Sequence, residues 1–372
     1  MLAIDASTCV HVRRPDASEG EARVLRVGMM VMGDANGRRL PFPDDWADAA
    51  THGAAVTRFQ VGGRSTPGIY VVPRVSLRPS RHTHRLSSRI AGARVARALE
   101  WQRLDVLHGH FYTAAEPLLT ASKRLGVPLV VTEHSSRLTG SSARHKPLTS
   151  AGLRLAKTIY ANATVIAVSQ YLADCIAERT GIMPIVIGNP VDVDLFRPRT
   201  RSNDIVNIVF VGRIEADKDP DLLVRGFDLA SSRDERLRLT IIGDGPGLTR
   251  LRAAADERVT FTGRIPRESV ARHVGGSHVM VSTSTVETFA VAAAEGAAAG
   301  LPVVCPKQQP FDEVITNGNI AFEPGSAESL SVAINKAANG RFDRESIRQS
   351  IVERFSPRNI GAQLQQIYEK IA

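Results

Sequence analysis

Residues 281–304 read VSTSTVETFAVAAAEGAAAGLPVV: a strand end, an Ala-rich helix with only two charges, a glycine stop at Gly300 and another short apolar strand. That order, flanked by β-branched runs, is the signature of a parallel sheet covered by helices. The alternation continues outward in both directions. Downstream of 204, strands are expected at 207–211, 237–242, 259–261, 278–282 and 302–305, with helices at 219–230, 248–255, 267–275, 289–299, 327–338 and 359–372. GNPVDVDLFRPRTRSND (188–204), rich in Pro, Asp and Arg, reads as a linker. Upstream of it, strands are expected at 24–31, 55–61, 69–72, 105–107, 129–132, 164–168 and 184–187, with helices at 85–101, 114–125 and 169–180. The expected fold class is therefore α/β, two tandem doubly wound Rossmann-like domains facing a cleft. The first covers 1–195 and the second 196–355, and a C-terminal helix at 356–372 packs back on the first.

A chain of 372 residues with 43% hydrophobic and 23% charged content is long enough for two cores and far from the composition of disordered chains. No run approaches the roughly 18 apolar residues of a spanning helix. The start, MLAIDASTCVHVRRPDASEG, lacks a basic region followed by an apolar stretch, so neither secretion nor spanning is expected. Cys9, Cys175 and Cys305 are scattered, which fits a reducing cytoplasm and neither a disulfide framework nor a zinc site. The net charge of +9 is uneven: residues 1–188 hold 24 Lys/Arg against 14 Asp/Glu, whereas 189–372 hold 23 against 24. The first half is thus expected to meet something anionic.

Glu287 and Glu295 are the two charges of the opening stretch. On one helix, eight residues at about 1.5 Å each would separate their backbones by roughly 12 Å. Paired glycosidase carboxyls stand about 5–9.5 Å apart, so these two suit the ends of one extended ligand better than the flanks of one glycosidic bond. The N–H groups of Thr288, Phe289 and Ala290 at the helix start would meet phosphates between them. Ser284 and Glu287 also have capping-box spacing, which by itself accounts for Glu287. Glu295 has no such explanation, because it interrupts an apolar helix.

FVGRIEADKDP (210–220) ends a strand in Gly212 and places Arg213 and Lys218 at the sheet's carboxyl edge, where they can counter a diphosphate or simply be solvated. LTIIGDGPGLTRL (239–251) carries Gly243, Gly245 and Gly247 without the last glycine of a dinucleotide fingerprint, and reads as a tight strand-to-helix turn.

In this order the motifs resemble the retaining glycosyltransferases of family 4, whose fold is named GT-B. IGNPVDVDLFRP is similar to the family's interdomain signature, VGRIEADKDP to its phosphate loop, IIGDGPGLTRL and VTFTGRIP to its next two strand–turn units, and ETFAVAAAE to its E-x7-E motif. The resemblance is strong over 185–330. It implies that Gly212, Arg213 and Lys218 hold the donor diphosphate, that Glu287 contacts the transferred sugar, and that Glu295 contacts ribose. Ile265 would offer backbone to the base, and the backbone at Phe289 and Ala290 would touch sugar and phosphate. In the first half LDVLHGHF and PLVVTEHSS resemble the fourth and fifth strand ends, which puts His134 near the sugar, with a structural role as the alternative for it and for His110. Two departures stand out. The usual Gly-Gly loop after the first strand is replaced by VLRVGMMVMGDANGRR with separated Gly33 and Gly37, and KQQPFDEVI replaces a glycine-rich turn after Pro306.

The resemblance implies a retaining, metal-independent hexose transfer from a UDP- or GDP-sugar, which is a substrate and not a cofactor, to an unidentified acceptor, for which the basic first half leaves an anionic or lipid-linked molecule open. Glu287 and His134 would be the catalytic pair, and no metal ligand is expected. A nucleotide-sugar 2-epimerase and a non-catalytic nucleotide-sugar-binding relative are the alternatives. RPSRHTHRLSSRIAGARVARALEWQR (78–103) sets Arg78, Arg81, Arg85 and Arg89 at helical steps beside Leu86 and Ile90, either a solvated face or a surface for peripheral contact with the inner face of an anionic membrane. Without interleaved aromatics, nucleic acid is not an expected partner.

Overall fold

VNIVFV at Val206–Val211 is apolar at nearly every position and buried except at Asn207 and Val211, which are partly so, as befits the central strand of a sheet covered on both faces. In the computed structural model, which describes residues 24–30, 41–61, 69–72, 81–139, 147–202 and 204–372, it lies in the middle of the second of two sheets. The first unit contains β1 (Arg26–Met30), α1 (Pro41–Ala50), β2 (Ala55–Val61), β3 (Tyr70–Val72), α2 (Arg81–Leu99), β4 (Val106–His110) and α3 (Tyr112–Leu125). It continues with β5 (Leu129–Glu133), α4 (Ser150–Tyr160), β6 (Thr164–Ala167), α5 (Gln170–Thr180) and β7 (Ile185–Val186). The second has β8 (Val206–Val211), α6 (Pro220–Ser231), β9 (Leu237–Ile242), α7 (Leu248–Ala254), β10 (Val259–Gly263), α8 (Arg267–Gly275) and β11 (Val279–Val281). After these come α9 (Val291–Ala298), β12 (Val303–Pro306), α10 (Phe311–Val314), β13 (Asn319–Phe322), α11 (Ala327–Asn339), α12 (Arg344–Phe355) and α13 (Pro357–Ile371).

The sheets run β3-β2-β1-β4-β5-β6-β7 and β10-β9-β8-β11-β12-β13, with parallel pairing throughout. Each reverses its order beside its first strand, between β1 and β4 and between β8 and β11. Such switch points open a crevice at the carboxyl ends of the strands, where doubly wound sheets bind ligands.

The apolar core of the first sheet is continuous with the α9, α12 and α13 side of the second, while β8, β9, α6 and α11 enclose a separate core. Helix α13 crosses back to the first sheet. A Cβ at Gly361 would lie 2.2 Å from the Ala49 carbonyl oxygen, so only glycine lets α13 and α1 approach this closely. At the other end of α13, Tyr368 is fully buried and its hydroxyl sits 2.7 Å from His108 Nδ1.

Three departures from the sequence reading bear on the site. Helix α9 begins at Val291 rather than 289, because Ala290 takes a left-handed conformation (φ 63°, ψ 56°) that ends the preceding loop. Glu287 therefore lies outside the helix, and the helical spacing between it and Glu295 does not apply. Gly33, Gly37 and Arg78, with the side chains of Arg81 and Arg85, fall outside the described residues. Helices α1, α4, α10 and α12 and strand β13 were not expected.

Candidate functional site

At the carboxyl end of β8 the chain turns sharply through Gly212, Arg213 and Ile214. The glycine turn after β9 supports it: Gly212 N–H donates to the Ile242 carbonyl at 3.0 Å, Ile214 N–H to that of Asp244 at 3.0 Å, and Gly247 N–H to that of Ile214 at 3.3 Å. Gly243 has φ 149°, and a Cβ there would stand 1.8 Å from the Gly212 carbonyl oxygen. The glycines of GDGPG are thus required so that one loop can press on the other, in agreement with a tight turn. Arg213 projects outward, 67% exposed, with Glu215 at 3.2 Å.

Lys218 ends a 3-10 turn at Ala216–Lys218 and points the opposite way. Its Nζ donates to Glu287 Oε1 at 2.6 Å and to Ser284 Oγ at 3.0 Å, and its own carbonyl accepts from Thr283 Oγ1 at 2.7 Å. The loop after β11 is thereby fastened to the loop after β8, across the switch point. Ser284 spends its hydroxyl on these loops rather than on a helix end, so the capping-box alternative for Glu287 is not formed. Gln308, from the segment that departs from the family pattern, donates to the Ser284 carbonyl at 2.7 Å. The Lys218–Glu287 pair is about one-fifth exposed on both sides.

Strained backbone gathers at the same rim. Phe111 (φ 61°), Asp219 (φ 40°) and Ala290 (φ 63°) all sit just past strand ends or at helix starts that face the cleft. Each costs about 1–3 kcal/mol, held in place by packing around it. Phe289 beside Ala290 is buried against Phe355 of α12, ring centroids 4.9 Å apart. Ile265, two residues past β10, is half-buried against the interdomain core.

From the first sheet comes a cluster of three histidines. His108 and His110 project from β4, with stacked rings 5.1 Å apart, and His134 follows β5, its ring 5.3 Å from that of His110. His110 Nδ1 and His134 Nε2 are 3.0 Å apart, one donating to the other. Trp46 of α1 meets all three rings edge-on and donates its Nε1 to Asn189 of the linker at 2.9 Å. Burial lowers the affinity of His134 for a proton well below the usual histidine range; His110 and His108 add to this, and a bond with Asn189 opposes it. Burial brings His110 to about 3. The loop bearing His134 is pinned by Glu133, a buried carboxylate that accepts from the N–H groups of Tyr112, His134 and Ser135 and from the Tyr160 hydroxyl.

The two halves of the site touch. Thr288 Oγ1 donates to the His134 carbonyl at 3.1 Å, so Glu287 and His134 stand on facing walls of one crevice. Glu295 lies one helical turn into α9, its side chain 13% exposed, with Arg267 Nη2 at 3.5 Å from Oε1. Burial pushes its carboxyl up to about 7; Arg267 opposes this, and Asp45 and Asp192 add to it. The structure thus gathers Gly212, Lys218, Glu287, Phe289, Ala290 and His134 around the crevice, with Arg213 on its outer lip and Glu295 set apart beside Arg267. Glu133, Ser284, Asn189 and Arg267 build the same region without having been singled out in the sequence as ligand contacts. Glu133, adjacent to His134 in TEHSS, Ser284, three residues before Glu287, and Asn189, within IGNPVDVDLFRP, each carried a positional hint, whereas Arg267 carried none. Among the described residues, no group of three His, Cys, Asp or Glu is arranged to hold a metal ion.

Two parallel sheets of equivalent strand order, facing each other across a crevice lined by their switch points, define the GT-B class of glycosyltransferases. Family models described as "Glycosyltransferase Family 4" and "Glycosyl transferases group 1" match residues 48–195 and 194–354, and the chain belongs to this family of glycosyltransferases. It is 26% identical over 289 residues to a phosphatidylinositol N-acetylglucosaminyltransferase chain of Arabidopsis thaliana, covering 73% of this chain and 63% of that protein. It is also 26% identical to the D-inositol 3-phosphate glycosyltransferase of Kribbella flavida over 285 residues, 63% of this chain and 67% of that one. The chain thus spans less than two thirds of the Arabidopsis relative's length. Among solved structures, sucrose-phosphate synthase from Thermosynechococcus elongatus superposes with TM-score 0.73 at 18% identity, covering 93% and 98% of the two chains. An Anabaena protein in complex with UDP and glucose superposes with TM-score 0.70 at 18% identity, covering 93% and 100%. At that identity the likeness is one of fold.

Proposed function

We propose that the chain is a retaining, metal-independent glycosyltransferase that moves a hexose from a UDP- or GDP-sugar to an anionic, lipid-linked acceptor. The observation that carries this reading is the Lys218–Ser284–Glu287 cluster at the β8/β11 switch point, joined through Thr288 to His134 on the facing wall. When the bond from the sugar to the diphosphate breaks, its electron pair leaves on a phosphate oxygen. Arg213 on the outer lip and Lys218 inside it would counter that charge as a metal ion does elsewhere. Gly212 and the backbone at Phe289 and Ala290 would line the phosphates, Ile265 the base, and Glu295 the ribose. Glu287, already bridged to Lys218, would accept from sugar hydroxyls, with neutral His134 opposite. No covalent nucleophile is assigned.

The test is nucleotide release measured over UDP- and GDP-sugars, with and without acceptor. Release that needs added acceptor supports the transferase; interconversion of the sugar without release would make it an epimerase, and binding alone a non-catalytic relative. Arg213→Ala is expected to weaken donor binding about tenfold, the worth of one charge-assisted contact at an exposed site. Unchanged affinity in both Arg213→Ala and Glu295→Ala would overturn the site assignment.

The acceptor side rests on a surface. Leu86 and Trp101 are 52% and 61% exposed, and Arg89, Arg94 and Arg97 are exposed between them on one face of α2 and the turn that follows. Arg stems with embedded apolar side chains suit the headgroup layer of an anionic bilayer, and the names of the relatives above put a phosphorylated inositol among the acceptors of such proteins. Among the described residues, no helix is long and apolar enough to cross a membrane. The protein is expected to sediment with vesicles containing phosphatidylglycerol and not with pure phosphatidylcholine. Replacing Arg89, Arg94 and Arg97 by Gln should abolish that binding, and sedimentation unchanged by the replacement would remove this surface from the proposal.

A further inference from the structure

Arg267 opens α8 in the second domain, and the motifs give it no part in donor binding. Its Nη1 lies 2.6 Å from Asp45 Oδ1 of α1 in the first domain, and its Nη2 lies 3.5 Å from Glu295 Oε1. Its guanidinium carbon stands 5.7 Å from the centre of the Phe196 ring in the linker. One planar, permanently charged group therefore touches both walls of the crevice and the segment that joins them. We propose that Arg267 is a positioning residue that couples occupancy of the donor's ribose site to closure of the cleft, by holding Glu295 as an acceptor with one arm and Asp45 with the other. This inference rests on the reading of Glu295 as the ribose contact.

The physical reason lies in the surroundings of Glu295. The groups that face it are Arg267 from α8, Asp45 from α1 and Asp192 from the linker, one cation against two further carboxylates. Burial already disfavours the ionised form, and a protonated carboxyl has lost much of its ability to accept from ribose hydroxyls. Arg267 is the cation that opposes this. Asp45 is in turn raised by its own burial and lowered by Arg267, so the same guanidinium favours the charged form of both carboxylates. When the domains separate, Arg267 loses Asp45 but can keep Glu295. When ribose engages Glu295, the guanidinium is fixed in the orientation that receives Asp45.

Calorimetric titration of UDP and GDP, and of their sugars, into the full chain between about pH 5.5 and pH 8.5 tests this. Wild-type affinity is expected to fall as pH drops through about 7, where Glu295 takes up its proton. Arg267→Gln should move that fall to higher pH and weaken binding at neutral pH about tenfold, one unit of displacement being a factor of ten. Arg267→Lys should recover part of both. Asp45→Asn removes the closure contact and leaves Glu295 its cation, so the pH profile should not move to higher pH, while affinity and turnover both fall about threefold to tenfold, because coupling between two sites is reciprocal. Thermal midpoints of the variants separate misfolding from a site effect. Wild-type protein that binds no nucleotide at any pH would overturn the donor-site reading itself. Wild type that binds, with an Arg267→Gln profile superimposable on it or an Asp45→Asn turnover equal to it, would overturn only the coupling.

Discussion

Replacing Lys218 by alanine is expected to lower turnover about 10²–10³-fold, the usual cost of removing one preorganised donor from a group that gains charge in the transition state. The geometry explains why this residue outweighs Arg213. Lys218 is about one-fifth exposed and held at 2.6 Å from Glu287 and 3.0 Å from Ser284, whereas Arg213 is 67% exposed, its charge screened by water. Alanine would also leave Glu287 half-buried without its cation, so a loss of roughly 1–3 kcal/mol in stability should accompany the loss of activity. Arginine is not expected to rescue. The site holds a compact ammonium between a carboxylate and a hydroxyl, and a planar guanidinium would displace the loop after β11. Glu287→Gln should cost less stability than Lys218→Ala, because the amide oxygen still accepts from Nζ. A Lys218→Ala enzyme that retains a third of wild-type turnover would show that the diphosphate lies elsewhere.

How much of this was legible in the sequence follows from what each segment had to satisfy. The central strands had to be apolar on both faces, so VNIVFV and LVVTE announced themselves, and Asp219-Pro220 marked the start of α6 within one residue. Helix α12 escaped because two of its arginines are turned onto the protein and not towards solvent. Arg348 donates to the carbonyls of Val193, Phe196 and Ala298, and Arg354 to those of Glu313 and Val314, which ties the linker and α10 to the second domain and blurs any apolar stripe. Strand β13 escaped because it is an edge strand with only Ile320 and Phe322 turned inward. In α1, PFPDDWADAA shows two prolines and no helical period, yet it delivers Trp46 to the histidines. The start of α9 was misplaced because nothing in the letters says that Ala290 accepts a backbone conformation usually left to glycine. As for the site, the motifs named Glu287 and Lys218 singly. That the two meet across 69 positions, and that Glu295 faces Arg267, depends on the folding of loops and could not be read from local pattern.

The second large effect concerns acid. His108, His110 and His134 are all held neutral by burial, with His110 brought from 6.5 to about 3. In the unfolded chain each would bind a proton near its ordinary value, so below about pH 6.5 the unfolded state holds more protons than the native one, and stability falls as pH falls. The native state is unaffected by these groups above that pH and loses the most as pH drops towards the folded values. At pH 5 the cost is about 2 kcal/mol for His110 alone, and His108 and His134 are shifted in the same direction. Asp45, Glu133 and Glu295 act in the opposite direction, because burial raises their carboxyls and acidification relieves them. The histidine contribution is therefore best isolated by difference. His108 lies behind the crevice, bonded to Tyr368 and Thr132, and is not assigned to the donor. Glutamine there keeps one hydrogen bond and carries no titration, so His108→Gln should be destabilised by a fixed amount at neutral pH. Below pH 6.5 the gap to wild type should narrow steadily as pH falls. Urea midpoints measured for both proteins between about pH 5 and pH 8 decide it. A gap that stays constant over that range would mean that His108 takes up its proton as readily in the native state as in the unfolded chain, and would overturn its being held neutral by burial.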